Sequence, residues 1–314
     1  MDSISRLLRM ARVGAELDRR CLLAGATRMD VAGVAETQAP FHVLLEGECA
    51  FAVGGTSLHL RAGDVVIVPS GAPHRVTTPG RGRERGVESS TGGVLIQTRT
   101  AGDVDPPVID LFCGHYEFGT GAGRLLFRSL PDPVHVSFGR TEEGDEVLRM
   151  ISALMRREAG RDGEGTAAIL ASLATVLLAM VLRTSRGDAT KAALWTAAAD
   201  RRIAGAVEAM LRSPGEAWTI DRLSRAANTS RATFQRHFTR HTGTTVAAFL
   251  ARARLMAAAE LLGSSDATVG AVALRVGYQS ESAFSRAFRA EVGTTPARFR
   301  REQAGRSRGT GFPR

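Results

Sequence analysis

Across residues 41–76 the apolar positions come in short runs, at 42–45, 49–53, 57–60 and 65–68, separated by Gly47, Gly54, Gly55 and Gly63-Asp64. Runs of four or five with glycine punctuation predict short antiparallel strands, and hence a barrel or sandwich. Residues 81–93 are polar and rich in Gly and Arg and read as a loop, with strands resuming at Val94 and over 108–118. Then the period changes. Residues 142–157 carry Val147, Leu148, Ile151, Leu154 and Met155 at helical spacing, and 167–183 continue as a second helix. Ser172 and Thr175 interrupt that second run, and it falls short of the roughly 20 residues that a bilayer needs, so it reads as a buried helix. A hinge is expected around 185–191, and from there an all-helical stretch runs to about Arg301.

Within that stretch one pattern occurs twice. Thr219 can cap a helix whose inner face holds Ile220, Leu223, Ala226 and Ala227, and a turn at Asn228-Thr229 follows. Ser230 then caps a second helix with Phe234 and Phe238 inside and Arg231, Ala232, Gln235 and Arg236 outside. About fifty residues on, Val269, Val272, Ala273 and Val276 form a first face, Gly277-Tyr278 turns, and Ser280 opens a helix that buries Phe284 and Phe288. Its outward residues are Glu281, Ser282, Ser285, Arg286 and Arg289. Residues 245–262 predict a helix between the units, about 27 Å long at 1.5 Å per residue, with Arg252 and Arg254 exposed. Two recognition helices at roughly 34 Å would enter successive major grooves on one side of a duplex.

Charge sharpens the division. Residues 200–314 hold 19 Arg against 9 acidic residues, whereas the rest holds 22 basic and 23 acidic. The excess therefore sits with the paired helical units, as phosphate binding requires, although a soluble basic surface would count the same. Arg suits guanine, Gln suits adenine and Glu suits cytosine, while any one Arg can equally serve a phosphate. Three cysteines, Cys21, Cys49 and Cys113, are too few for a disulfide framework or a zinc ribbon, which favours a reducing cytoplasm. No signal-peptide core marks the first 21 residues.

Residues 230–238, Gly243-Thr244-Thr245, 273–278, 282–288 and 293–299 resemble the AraC/XylS family of transcription regulators. The resemblance implies base reading by Ala232, Gln235 and Arg236 in the first unit and by Glu281, Ser282, Ser285 and Arg286 in the second. Ala232 departs from the pattern, because a larger side chain often sits there. Residues 63–74, ending in His74, resemble the second motif of the cupin barrel. The first motif is poor: metal-dependent cupins carry two histidines one residue apart and a later glutamate, and here only His42 and then Glu46 or Glu48 occur. His42 and His74 are therefore weak metal candidates, and candidates for lining one pocket. Residues 1–8, Cys21, 63–76, Cys113-Gly114 and Leu130-Pro131 together resemble the cupin-bearing subgroup that includes reactive-chlorine-responsive regulators. That resemblance implies an oxidisable pair at Cys21 and Cys113. Arg19 and Arg20 beside Cys21, and His115 beside Cys113, are expected to favour thiolates. The alternative is that both cysteines are small buried hydrophobes, as Cys49 is expected to be.

The expectation is thus an α+β chain. Residues 1–140 form a cupin-like sensory barrel, 141–184 a helical coupling or dimerisation segment, 185–200 a linker, 201–302 the double helix-turn-helix domain and 303–314 a disordered tail. The protein is read as a non-enzymatic, cytoplasmic homodimer that binds double-stranded DNA, works with RNA polymerase, needs no membrane, and answers an oxidant or a small-molecule effector; no cofactor is firmly implied, and a metal in the cupin stays open. Two alternatives stand: an effector-binding regulator with no redox role, and a cupin metalloenzyme fused to a DNA-binding domain.

Overall fold

A computed structural model describes residues 3–102, 106–118, 121–138, 142–161, 163–184, 201–242 and 244–309. Eleven strands alternate with few helices in the first half. In chain order these are α1 (Ser3–Ala11), β1 (Gly14–Leu23), β2 (Arg28–Val31), β3 (Gln38–Glu46), β4 (Glu48–Val53), β5 (Thr56–Arg61), β6 (Asp64–Ile67), β7 (His74–Thr77), β8 (Val87–Gly92), β9 (Leu95–Thr100), β10 (Ile109–Glu117), α2 (Ala122–Arg128) and β11 (Val134–Ser137). The second half is helical: α3 (Glu142–Ala159), α4 (Thr166–Thr184), α5 (Arg201–Arg212), α6 (Ile220–Ala226), α7 (Arg231–Thr242), α8 (Val246–Ser264), α9 (Val269–Arg275), α10 (Glu281–Val292) and α11 (Pro296–Gly309).

The strands form a seven-stranded sheet, β11-β6-β3-β10-β1-β9-β8, and a four-stranded one, β2-β7-β4-β5. All neighbours are antiparallel except β1 and β9. Along β4 burial alternates residue by residue, so Cys49, Phe51 and Val53 point inward, as a half-buried strand demands. They meet Cys21, Leu44, Val66, Leu111 and Cys113 from the larger sheet in one apolar core. Central strand β10 is covered on both faces. On its outer side the Tyr116 hydroxyl donates to the Ala174 carbonyl of α4 at 2.9 Å. Arg20 and Arg156 of α3 clamp the Asp110 carboxylate, at 3.0 and 2.9 Å for Arg20 and 2.8 Å for Arg156.

The strands expected between residues 42 and 68 and at 108–118 are present, and so are both helices after residue 142. Several expectations fail for identifiable reasons. Residues 87–92, assigned to a loop, form β8, because they make an edge strand on which Val87 alone packs against the core and Glu88, Ser89, Ser90 and Thr91 need no apolar face. Helix α4 is not buried all round. Its 19 residues are apolar and long enough to cross a membrane by length and composition, yet Ile169 and Val176 are exposed while Leu170, Ala174, Leu177 and Leu178 face the protein. Residues 303–309, expected as an irregular tail, continue α11. Strands β1, β2, β7 and β11 went unpredicted. Four charged residues in β1, Glu16, Asp18, Arg19 and Arg20, hide its alternation, since they sit where Asp110, Thr98 and His115 can bond them. The expected hinge at 185–191 and the rest of the linker lie outside the described residues, as do residues 310–314.

Compactness divides the chain differently from its linear order. Strands β1 to β11, α3 and α4 as far as Val181 make one unit, and α5–α11 make the other together with the segments holding α1 and α2. Helix α1 buries Ile4, Leu7 and Met10 and packs on α2, α5 and α8. The 1–140 span expected as one sensory domain thus lends two helices to the DNA-binding unit.

Candidate nucleic-acid interface and sensor core

The helical unit repeats one frame. Helices α6 and α9 have seven residues each, and α7 and α10 have twelve. Side-chain oxygens of Thr219, Ser230, Thr245, Thr268 and Ser280 each accept the amide three residues on. Such caps satisfy donors that a helix start leaves unpaired. The turns bend through left-handed backbone at equivalent places, Asn228 with φ 50° and Gly277 with φ 91°. At Gly277 a side chain would meet the Arg254 guanidinium and the Gly215 carbonyl, both at 2.8 Å. Phe234 and Phe238, and Phe284 and Phe288, are fully buried, and α8 joins the units as one continuous helix.

On the outer faces Ala232, Gln235 and Arg236 of α7 and Glu281, Ser282, Arg286 and Arg289 of α10 are exposed. Ser285 is half-buried. Arg231 is exposed but ion-paired with Asp221 of α6, so contact with DNA requires it to leave that partner. Ala226 is also exposed, contrary to its assignment to an inner face, because α6 ends there. Arg254 does not extend freely from α8. It donates to the carbonyls of Pro214 and Glu216 at 2.9 and 3.2 Å and ties α8 to the loop before α6.

In the barrel the predicted sensor residues meet in the core. The Cys21 and Cys113 sulfurs are 3.7 Å apart, and Cys21 Sγ lies 3.6 Å from Met29 Sδ. Cys113 Sγ is 3.1 Å from His42 Nδ1, and His42 Nε2 is 2.7 Å from His74 Nε2. His74 Nδ1 reaches the Ala72 carbonyl at 2.9 Å. This last partner can only accept, so it fixes the rest of the chain. His74 Nδ1–H donates to Ala72, His42 Nε2–H donates to the bare His74 Nε2, and the bare His42 Nδ1 accepts the Cys113 S–H. Burial, aided by His74, pushes the His42 pKa well below the usual imidazole range, and burial lowers that of His74 too. Both rings are neutral, as this assignment needs.

The expected thiolate promoters bond elsewhere, and of them only Arg19, which stands directly opposite Cys113, still favours its thiolate, against larger opposing influences. Arg20 is spent on Asp110, Arg19 on Ser89 and Thr98, and His115 on Asp18 at 2.8 Å. The hydrogen bond with Cys21, together with burial, holds the Cys113 thiol well above its ordinary pKa. Cys49 is a buried core thiol, pushed up to about 12. His42 and His74 touch but open on different cavities. His42 lines one of about 240 Å³ with Met29 and Cys113, and His74 lines one of about 590 Å³ with Val53 and Arg75.

These groups do not fit a cupin metal. Two nitrogens sharing one zinc sit about 3.3 Å apart if each bond is near 2.0 Å, so the 2.7 Å His42–His74 contact is a hydrogen bond. Glu46 is spent on Arg156 at 3.6 Å and Glu48 on His59 at 3.1 Å, both at the surface. Among the described residues, the group of three metal-capable side chains within mutual reach is Glu16, Asp18 and His115, elsewhere on β1 and β10. Sequence reasoning missed Met29 and Asp110; no motif marks either.

Residues 2–185 match the family described as cupin, and residues 223–302 match a helix-turn-helix domain family. An uncharacterized HTH-type transcriptional regulator of Haemophilus influenzae is 30% identical over 302 residues, 96% of this chain and 99% of its own. The RCS-specific HTH-type transcriptional activator RclR of Escherichia coli is 26% identical, with 96% of this chain and 97% of its own covered. Among solved structures, the DNA-binding domain of AdpA in complex with a target DNA is 34% identical, covering 35% of this chain and 98% of that one at a TM-score of 0.33. With capped, duplicated helix-turn-helix units behind a two-sheet barrel, and with family matches over both, the chain belongs to the AraC-type transcriptional regulators that carry an N-terminal cupin domain.

Proposed function

We propose that this regulator's affinity for DNA is set by the oxidation state of Cys21 and Cys113. The observation that carries the reading is the 3.7 Å separation of two buried sulfurs on neighbouring strands of the cupin unit. Bases are read by Gln235 and Arg236 from α7 and by Glu281, Ser282, Ser285 and Arg286 from α10, with Arg231 and Arg289 on phosphates. Ala232 offers only a methyl, which suits a thymine methyl. Helix α8, with 19 residues and about 28 Å long, suits two recognition helices one duplex turn apart.

Coupling follows linkage: oxidation favours one arrangement of the barrel, and that arrangement differs in its affinity for DNA. Strand β10 holds α3 through Asp110 and α4 through Tyr116, and exposed Met150, Ile169 and Val176 on those helices provide a homodimer face. The protein works in the cytoplasm beside RNA polymerase and catalyses no reaction of its own. A likeness to a relative named RCS-specific favours reactive chlorine as the oxidant.

The test is binding of the full chain to its own upstream intergenic DNA at fixed salt, reduced and after mild hypochlorite. Specific binding that changes with oxidation is expected, and specific binding indifferent to it overturns the redox reading. The 590 Å³ cavity beside His74 would then favour a second reading, an organic effector in the barrel.

A further inference from the structure

We infer that Cys113 is the thiol that an oxidant attacks, that His42 receives its proton, and that Cys21 resolves the product into a disulfide that displaces β1 against β10. This deepens the redox reading above and rests on it. The two sulfurs are not equivalent. Cys113 is 9% exposed and lines the 240 Å³ cavity with His42 and Met29, whereas Cys21 is 0% exposed and lies outside it. Among the described residues only Cys113 of the pair has a base, since His42 Nδ1 is 3.1 Å away and left without a proton by the bonds that run through His74 to Ala72. Among the described residues the polar contacts of the Cys21 sulfur are with two other sulfurs, those of Met29 and Cys113. The raised pKa of Cys113 means that the resting pair is thiol and imidazole, so the proton moves during attack and not before it.

The oxidant is a small two-electron oxidant HO–X, either hypochlorous acid or hydrogen peroxide. The Cys113 sulfur pair forms S–X as the O–X bond breaks. The thiol proton passes to His42 Nδ1, hydroxide departs, and it recovers that proton to become water. Sulfur is oxidised by two electrons. The Cys21 sulfur then attacks that of Cys113, the S–S bond forms, and X⁻ leaves with the Cys21 proton. The sum is two thiols and HO–X giving a disulfide, water and HX.

Register makes the second step mechanical. Arg19 stands opposite Cys113 and Leu111 opposite Cys21, so the cysteines are diagonal neighbours. Diagonal Cα atoms on paired strands are about 7–8 Å apart, while a disulfide tolerates about 4.4–6.8 Å. Closing the bond must therefore draw the strands along or toward each other, and their pairing already shifts between Leu17 and Arg19. The same strands meet at the pair Gly14 and Glu117, from which the chain runs to α1 on one side and α2 on the other. Those are the two early helices grouped with the DNA-binding helices.

The experiment treats the full chain with substoichiometric hypochlorite in the presence of dimedone and maps the thiols by peptide mass. In wild type, early adducts should lie on Cys113 and the end product should join Cys21 to Cys113. Cys21→Ala should accumulate the Cys113 adduct, and Cys113→Ala should slow oxidation of Cys21 at least tenfold. His42→Gln should slow loss of the Cys113 thiol by roughly 100-fold and remove the acid limb of its pH–rate profile, yet reach the same disulfide yield with excess oxidant. Early adducts on Cys21, or its oxidation at the wild-type rate in Cys113→Ala, overturn the assignment and leave the redox reading intact. Absence of any Cys21–Cys113 disulfide in wild type removes the redox reading itself. The wild-type time course decides the order even if a substituted chain fails to fold.

Discussion

In the barrel, Cys21, Met29, Cys113, His42 and His74 lie inside and bond one another, while in the helical unit Gln235, Arg236, Arg286 and Arg289 stand in solvent on helices whose inner faces are phenylalanine. The two arrangements carry different risks. A buried polar group depends on each partner, because losing one leaves the next unsatisfied, whereas an exposed arginine costs the fold almost nothing to replace. Stability and function are therefore separable in the helical unit. In the barrel the proposed sensing groups and the core are the same residues, so there the two are entangled.

The sharpest way to break this contrast is to empty the helical core. Phe288→Ala should cost roughly 3–5 kcal/mol, since the ring is fully buried and packs edge-on to Phe299 at 5.5 Å. Chemical denaturation checks it, and a loss under about 1 kcal/mol would mean that the core re-forms around the gap. Next, Arg236→Ala should leave the denaturation midpoint unchanged and cost about 1–3 kcal/mol of specific binding at one base position. A loss that is uniform across sequences, read by competition at fixed salt, would move Arg236 to phosphate.

Between the two turns, Gly277→Ala should destabilise by about 1–2 kcal/mol, because φ is positive there and the new carbon meets Arg254 and the Gly215 carbonyl. Asn228→Gly, at the matching place, should stay within about 0.5 kcal/mol, since asparagine already tolerates that backbone. Equal effects would show that the turns are not built alike.

Acid sharpens the comparison from the other side. Folded His42 and His74 have lowered pKa values, so their contribution to stability is full above the ordinary imidazole value of 6.5 and is lost as pH falls below it. His115 runs the opposite way. Asp18 raises its pKa, and its contribution is present in acid and fades as pH rises through the raised value. With two buried rings against one half-buried, the barrel should loosen between pH 7 and 5, read as a fall in the midpoint of chemical denaturation. A midpoint that rises in acid would mean that His115 dominates.

Much of this was legible in one dimension. The duplicated units could be read from Phe234, Phe238, Phe284 and Phe288 and from the threonine and serine caps, because helix periodicity and capping act over three or four residues. The barrel was only half legible: β4 alternates cleanly, whereas the charges of β1 and the polar edge of β8 conceal strands whose identity depends on what pairs beside them. The Cys21 and Cys113 pair came from family resemblance; of the charges read beside it Arg19 does favour a Cys113 thiolate, but burial and the Cys21 contact outweigh it, and Arg20 and His115 bond elsewhere. Immediate neighbours along a strand face opposite sides, so Arg20 turns away from the thiols, while Arg19, two residues from Cys21, shares their face.

Sequence by itself determined the helical frame, the segregation of basic charge into the last third of the chain and most of the outward side chains of α7 and α10, all of which follow from short-range periodicity and composition. Only the tertiary structure decided that His42 meets Cys113, that Met29 flanks Cys21, that Arg231 and Arg254 are already engaged, and that α1 and α2 pack with the DNA-binding helices. Each of those depends on strands and helices far apart in the chain being brought together, and register, which no local pattern encodes, selects which atoms meet.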